Sequence, residues 1–247
     1  MIDQLINQAI VSLRTPLLNK FMLLVTLTGN WQMLVCGSLL LSILLIIYQK
    51  KDYLIALLSS HVSALVFILV IKNLIGRIRP PIENALILEK GFALPSGHSY
   101  FAVVFYGLIT YLLFRHIKSF WFKSILSIFG SIYILLLAFS RIYLGVHWFT
   151  DVVVGLLFGI IWLTIIVMYL KNKAKTIKKT KPLVNKKITQ VFIYIFITFW
   201  LLELFWFYKN NVNNLGTKII SPISAATTET TNTAPAAKSR AKVVSEY

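Results

Sequence analysis

SRIYLGVHWFTD, Ser140 to Asp151, places an arginine, a histidine and an aspartate between two apolar runs that otherwise carry almost no charge. The runs, roughly 121–142 and 148–170, each reach the roughly 18 to 20 apolar residues needed to cross a bilayer. The polar stretch therefore joins two membrane-spanning helices, where ionisable side chains are costly and mark function. If the chain is helical from His147, then His147 and Asp151 stand four residues apart on one face. The carboxylate can hold one imidazole N–H and leave the other nitrogen free to attack or to take a proton. Arg141, just upstream, is a permanent cation whose planar fork suits phosphate or carboxylate oxygens. A capping hydrogen bond would use the same H-x3-D spacing, so the weight of the pair depends on what the rest of the chain brings beside it.

Outward from this stretch, the same alternation repeats. The 247 residues are 57% hydrophobic, with a mean hydropathy of +0.77, and apolar runs recur at roughly 31–49, 53–74, 98–115, 121–142, 148–170 and 189–208. The predicted fold is all-α, a polytopic membrane helical bundle of about six transmembrane helices. A net charge of +17 raises the question of nucleic acid, but the cations concentrate in short loops, the pattern that orients membrane proteins. Lys50 and Lys51 follow the first run, Arg115, Lys118 and Lys123 follow the third, and eight lysines lie between Lys171 and Lys187 after the fifth. These loops belong in the cytoplasm. Loops 75–97 and 143–147, and both termini, then fall outside, and Arg141 and His147 with them. The single cysteine, Cys36, excludes an intramolecular disulfide, and no cleavable signal peptide is expected.

The remaining segments frame a membrane domain at 31–170. Residues 1–30 read as two interfacial amphipathic helices, with Leu5, Ile6, Ala9, Ile10 and Leu13 at helical spacing, Thr15-Pro16 as a helix start and Gly29-Asn30 as a stop. Packing and anchoring is their expected role. Residues 171–188 form a basic cytoplasmic loop, a topology signal rather than a lipid-headgroup site. Residues 189–208 form an additional span, and 209–247 a polar, disordered tail.

Two further clusters share the outer side. KNLIGRIRP, 72 to 80, places Lys72 and Arg79 two turns apart, on one face if the helix persists, with Arg77 as a third cation and Pro80 helping to end the helix. Snorkelling at an interface is the plain alternative, but this is the wrong end for orientation signals, which favours recruitment of an anion. LPSGH, 94 to 98, sets a turn-forming glycine and the Ser96 hydroxyl at a helix start, an anion cradle, with His98 beside it; a turn and cap without function would use the same residues. Cations around two histidines suit phosphoryl transfer, in which a protein mainly positions and neutralises phosphoryl oxygens.

Lys72 to Pro80 matches K-x6-RP, residues 95–98 match PSGH, and Ser140 to Asp151 matches SR-x5-H-x3-D. With these three motifs in order over roughly residues 30–170, the chain resembles the type 2 phosphatidic acid phosphatase (PAP2) superfamily of membrane lipid phosphatases, similar in its site to vanadium haloperoxidases and acid phosphatases. The resemblance implies that His147 is a nucleophile forming a phosphohistidine, that Asp151 orients it, and that His98 protonates the leaving group and then helps activate water. It implies that Lys72, Arg79, Ser96, Gly97 and Arg141 bind the phosphoryl oxygens, with Arg77 a possible accessory, and that no metal or cofactor is used. The expected function is hydrolysis of a lipid phosphomonoester or pyrophosphate at the outer face of a bacterial cytoplasmic membrane. Undecaprenyl diphosphate or a lipid A phosphate stands slightly ahead of phosphatidylglycerol phosphate and phosphatidate; the motifs do not separate them, nor do they set an oligomeric state.

A non-hydrolytic lipid-phosphate binder or transporter is the alternative, and it has no need of the His147–Asp151 pair. Among other polar residues, His61 reads as a helix-packing partner, His116 belongs to a cytoplasmic loop, Glu203 reads as interfacial rather than a relay, and Glu83 and Glu89, in the loop over the site, could repel or select substrates, with solvated loop charges as the default.

Overall fold

The structure, a computed structural model, describes residues 1–174 together with 190, 194, 197–198, 201–210 and 212. The basic loop expected at 171–188 lies outside the described residues from 175 onward, the sixth expected span is described only in part, and most of the tail lies outside them. Among the described residues all regular structure is helical: α1 (Ile2–Ser12), α2 (Pro16–Leu27), α3 (Trp31–Ile47), α4 (Lys51–Ile75), α5 (Gly97–Phe101), a π-helical turn (Ala102–Tyr106), α6 (Gly107–His116), α7 (Phe120–Tyr143) and α8 (Phe149–Ala174).

Four stretches are long and apolar enough to cross a membrane: Lys51–Ile75, Gly97–Arg115, Phe120–Tyr143 and Phe149–Lys173. The expected first span differs. α3 has 17 residues and meets the requirement only jointly with α2, from which it is bent by 44°. The count among the described residues is thus four, or five with the bent pair. The break falls at Thr28–Asn30, where Thr28 turns its hydroxyl back onto the Val25 carbonyl at 2.7 Å, and Tyr106 Oη donates to the freed Thr28 carbonyl at 2.8 Å. Such substitutes let a helix break without stranding backbone groups.

Two cores flank the site. One packs α3, α4, the α5–α6 segment and α8 through Leu34, Leu57, Ala64, Tyr100, Val104, Leu108 and Ile166. The other packs α1, α2, α7 and the start of α8 through Ile10, Met22, Ala138, Ile142, Leu144 and Val152. On the outside, Val62, Leu65, Val66, Leu69 and Val70 of α4 and Ile125, Ile128, Ile132 and Leu135 of α7 are exposed, which at helical spacing gives each helix a lipid-facing side. His61 joins α3 to α4, its Nε2 2.8 Å from Ser38 Oγ and its Nδ1 3.0 Å from the Leu57 carbonyl. The helical residues 201–210 are also in contact with the bundle: Leu204, Phe207 and Tyr208 pack against Leu23 and Leu27 of α2, and Cys36 Sγ lies 3.4 Å from Glu203 Oε2.

Close helix approach comes from glycine. A Cβ on Gly155 would lie 2.5 Å from the Ser96 carbonyl oxygen, and one on Gly159 2.8 Å from Val103 Cβ. This small-x3-small ridge on α8 lets α5 and the π turn sit against its backbone.

Candidate active site

The ends of α4 and α7 and the starts of α5 and α8 meet at one end of the bundle, opposite the loops with Lys50, Lys51 and Lys118. Here Asp151 is the third residue of α8, and its Oδ2 accepts the Trp148 N–H at 2.8 Å, satisfying an orphan donor of the first turn. The capping reading of H-x3-D is therefore real, but it does not exhaust the carboxylate. Oδ2 also lies 3.6 Å from His147 Nδ1, and both residues are buried, at 3% and 0% exposure. His147 precedes α8 by two residues rather than sitting in it. The turn that presents it depends on Gly145 at φ +74°, where a Cβ would meet the Asn84 carbonyl oxygen.

Arg79 Nη1 is 3.3 Å from His147 Nε2. A guanidinium can only donate, so Nε2 presents its lone pair, and the ring hydrogen is on Nδ1, facing Asp151. Among the described residues Nδ1 makes no hydrogen bond at this separation. Burial, reinforced by Arg141, Arg79 and Lys72 and opposed by Glu89, holds the His147 imidazole well below its ordinary pKa. It is a neutral, oriented imidazole.

The loop after α4 supplies the cations by a different route from the one the spacing suggests. α4 stops at Ile75 because Gly76 takes a left-handed conformation, φ +61°, and returns its N–H to the Lys72 carbonyl. Lys72 and Arg79 therefore do not share a helix face. Lys72 stays in the last turn of α4, within the electrostatic reach of Arg79, Glu89, Arg141 and Asp151. Arg79 is fixed from the loop, donating to the carbonyls of Gly91 at 2.8 Å, Val146 at 2.7 Å and Lys90 at 3.0 Å. Burial pulls its guanidinium pKa down, with Arg141 adding to the effect.

Arg77 is not directed at the same point: its guanidinium binds Asp151 Oδ1 at 2.6 Å, Thr150 Oγ1 at 2.5 Å and Asp3 Oδ2 at 2.6 Å. Arg141, fully buried, donates to Thr26 Oγ1 at 2.6 Å and to the Glu89 carboxylate, while its Nε has no partner among the described residues. Glu89 is thus no solvated loop charge. Burial alone would raise its carboxyl pKa; Arg141 and Arg79 outweigh that and keep it below the usual range.

Ser96 caps α5, its buried Oγ accepting from Ser99 N at 3.4 Å and from Ser99 Oγ at 3.0 Å, and its own N–H donates to the Asp151 carbonyl at 3.0 Å. This bond joins the PSGH turn directly to the start of α8. Gly97 and His98 follow, with His98 Nε2 3.0 Å from Asn30 Oδ1. Next to them opens a cavity of about 830 Å³ between α3 and α4, walled by Leu34, Val62, Leu65, Ile68, Leu88 and Phe101, with Asn30, Glu89 and His98 at its polar end. Among the described residues, no group of three or more His, Cys, Asp or Glu side chains is placed to hold a metal ion.

Three residues of this site, Asp3, Thr26 and Asn30, received no role in it from the sequence, and Glu89 was read there by default as a solvated charge in the loop over the site. The helices assigned to anchoring form a wall of it. Scarcity was the available signal, since Asp3 is the sole acidic residue before Asp52.

The profile of the PAP2 superfamily matches residues 53–175. The chain is 34% identical over 161 residues to phosphatidylglycerophosphatase B of Bacillus subtilis (strain 168), covering 64% of this chain and 78% of that protein. It is also 34% identical over 123 residues to an undecaprenyl-diphosphatase of Sulfolobus acidocaldarius, covering 48% and 55%. The crystal structure of a transmembrane PAP2-type phosphatidylglycerolphosphate phosphatase from Bacillus subtilis superposes with a TM-score of 0.63 at 30% identity, covering 73% of this chain and 88% of that one.

Proposed function

The chain belongs to the PAP2 superfamily and is a membrane lipid phosphatase, and from that premise we propose that it hydrolyses a lipid phosphate through a phosphohistidine on His147, at the outer face of a bacterial cytoplasmic membrane. The observation that carries this reading is the state of His147: neutral, with its Nε2 lone pair toward Arg79 and its Nδ1 toward Asp151. Nε2 attacks phosphorus, a P–N bond forms, and the P–O bond to the lipid breaks. The departing oxygen takes a proton from His98. Water then gives a proton back to His98, attacks phosphorus and breaks the P–N bond, releasing phosphate. Lys72, Arg79 and Arg141 neutralise the phosphoryl oxygens, with Ser96 and Gly97 shaping the turn beneath. Asp151 holds the ring as it becomes cationic, and no cofactor enters the scheme.

The apolar cavity supports a substrate with a hydrocarbon anchor, since its polar end lies at His98 and its walls are aliphatic. Phosphatidylglycerol phosphate moves to the front of the substrates to be tested, because the relative named for it is matched over most of its length; undecaprenyl diphosphate, phosphatidate and lipid A phosphate follow. The test is phosphate release by the purified protein across these lipids, with and without EDTA, together with trapping of labelled phosphoryl on the protein. His147→Ala should abolish both release and trapping, and His98→Ala should abolish turnover. Full activity of either variant refutes the mechanism.

A further inference from the structure

Asp3 sits in the first turn of α1, far in sequence from every catalytic motif, yet three of its contacts end at the catalytic carboxylate's neighbours. Its Oδ2 accepts from Arg77 Nη2 at 2.6 Å and from Thr150 Oγ1 at 2.7 Å, and its Oδ1 accepts the Thr150 N–H at 3.0 Å. Arg77 in turn donates through Nη1 to Asp151 Oδ1 at 2.6 Å and to Thr150 Oγ1 at 2.5 Å, and its guanidinium lies 5.9 Å from the centre of the Trp148 ring. The side chains of Asp3 and Arg77 are 15% and 29% exposed, and that of Asp151 is fully buried. The cluster is therefore shielded rather than a rim ion pair.

Charge counting gives Asp3 a role. Asp151 and Arg77 cancel as a pair, so alone they would present no net charge to His147. His147 already faces Lys72, Arg79 and Arg141, with Glu89 as the opposing anion, and its ring becomes cationic when the P–N bond forms. A second carboxylate behind Arg77 restores one net negative charge to the cluster at the position where that cation develops. It also fixes geometry: with Nη1 on Oδ1 and Trp148 N–H on Oδ2, the carboxylate has one orientation, Oδ2 toward Nδ1. The Asp3 carboxyl itself is raised by burial and lowered more by Thr150 and Arg77, ending below its ordinary pKa, so it is ionised at neutral pH.

We propose that Asp3, delivered by the N-terminal helix α1, is a positioning residue of the phosphoryl-transfer site, acting through Arg77 and Thr150 on the Asp151 carboxylate that orients His147. This rests on the phosphohistidine reading above. It makes α1 part of the catalytic apparatus rather than an anchor.

The test uses the full-length protein in mixed micelles with phosphatidylglycerol phosphate and the other lipids named above, measuring kcat and KM separately. By analogy with the outer carboxylates that orient metal-bound histidines, whose removal costs about 10- to 100-fold, Asp3→Asn should lower kcat by about that factor with KM unchanged. Asp3→Glu, which keeps the charge, should recover most of the loss. In an Arg77→Gln background, Asp3→Asn should change kcat by less than about twofold, because the link between Asp3 and Asp151 is already gone. Thr150→Val removes the hydroxyl shared by Asp3 and Arg77 and carries the same expectation if Asp3→Asn does not accumulate. Wild-type protein inactive on every lipid overturns the phosphatase reading and this inference together. Active wild type with unchanged kcat in Asp3→Asn, a loss confined to KM, or full additivity with Arg77→Gln overturns the inference alone.

Discussion

At the scale of single residues, the site works by assigning each hydrogen of His147. Arg79 can only donate, so Nε2 carries the lone pair, the atom that meets phosphorus in the proposed mechanism; the tautomer follows from one 3.3 Å contact. The imidazole's depressed pKa, caused first by burial and then by Arg141, Arg79 and Lys72, has a readable sign. The neutral nucleophile persists below the ordinary histidine value of 6.5, so the acid limb of kcat/KM should lie below that pH, checked by a pH–rate profile on a soluble short-chain substrate. The unfolded chain takes up a proton there that the folded one refuses, so thermal stability should also fall as pH drops below the unfolded value. Glu89 opposes the depression. Glu89→Gln should move the acid limb further down and, by removing an anion that competes with phosphate for Arg141, lower KM by up to about tenfold, while lowering the thermal midpoint because a buried cation loses its partner. A KM that rises in that variant would assign Glu89 to substrate binding instead. His147, Asp151 and Arg141 were legible in the sequence as candidates only in company with the other two motifs, since H-x3-D alone suits a helix cap equally well. Asn30 and Thr26 were not, since amide and hydroxyl side chains near a helix break are ordinary and only the fold brings them to His98 and Arg141.

At the scale of elements, the catalytic distances depend on how closely α8 lies against the PSGH turn. The Ser96 N–H bond to the Asp151 carbonyl and the absence of a side chain at Gly155 hold that approach. Gly155→Ala introduces a carbon 2.5 Å from the Ser96 carbonyl and 3.0 Å from Ser99 Cβ, so α8 must shift. The expected cost is about 1 to 3 kcal/mol of stability, with a fall in kcat larger than the change in KM, since His147 and Asp151 move relative to His98; thermal unfolding and steady-state kinetics on one preparation check both. The same scale shows where periodicity misleads. Lys72 and Arg79 at seven-residue spacing suggest one helix face, yet Gly76 ends α4 between them, because a left-handed residue closes the last turn. Pro80, the more conspicuous breaker, acts after the helix has already ended.

At the scale of the whole molecule, the apolar runs at 53–74, 98–115, 121–142 and 148–170 were legible almost to their ends, because a bilayer imposes length on every span. Gly29-Asn30 marked the break between α2 and α3, but the 44° bend of the pair was not legible, since Thr28 at the break bonds to Tyr106 and Tyr133 from distant helices. The basic loops argue that the catalytic end faces outward. In a Cys36→Ala background, a cysteine at exposed Glu83 should react with a membrane-impermeant maleimide in intact cells, while one at exposed Lys118 should react only after permeabilisation; the reverse pattern would place the catalytic end in the cytoplasm. The cavity between α3 and α4 has a kinetic consequence. Several of its wall residues, including Trp31, Val35, Val62 and Leu65, are also exposed on the outer surface, so entry from the side, out of the hydrocarbon phase, is the expected route. Substrate then arrives by lateral diffusion in two dimensions, and velocity should follow the mole fraction of lipid phosphate in the micelle or bilayer. Adding inert detergent at constant bulk substrate should slow the enzyme by surface dilution alone.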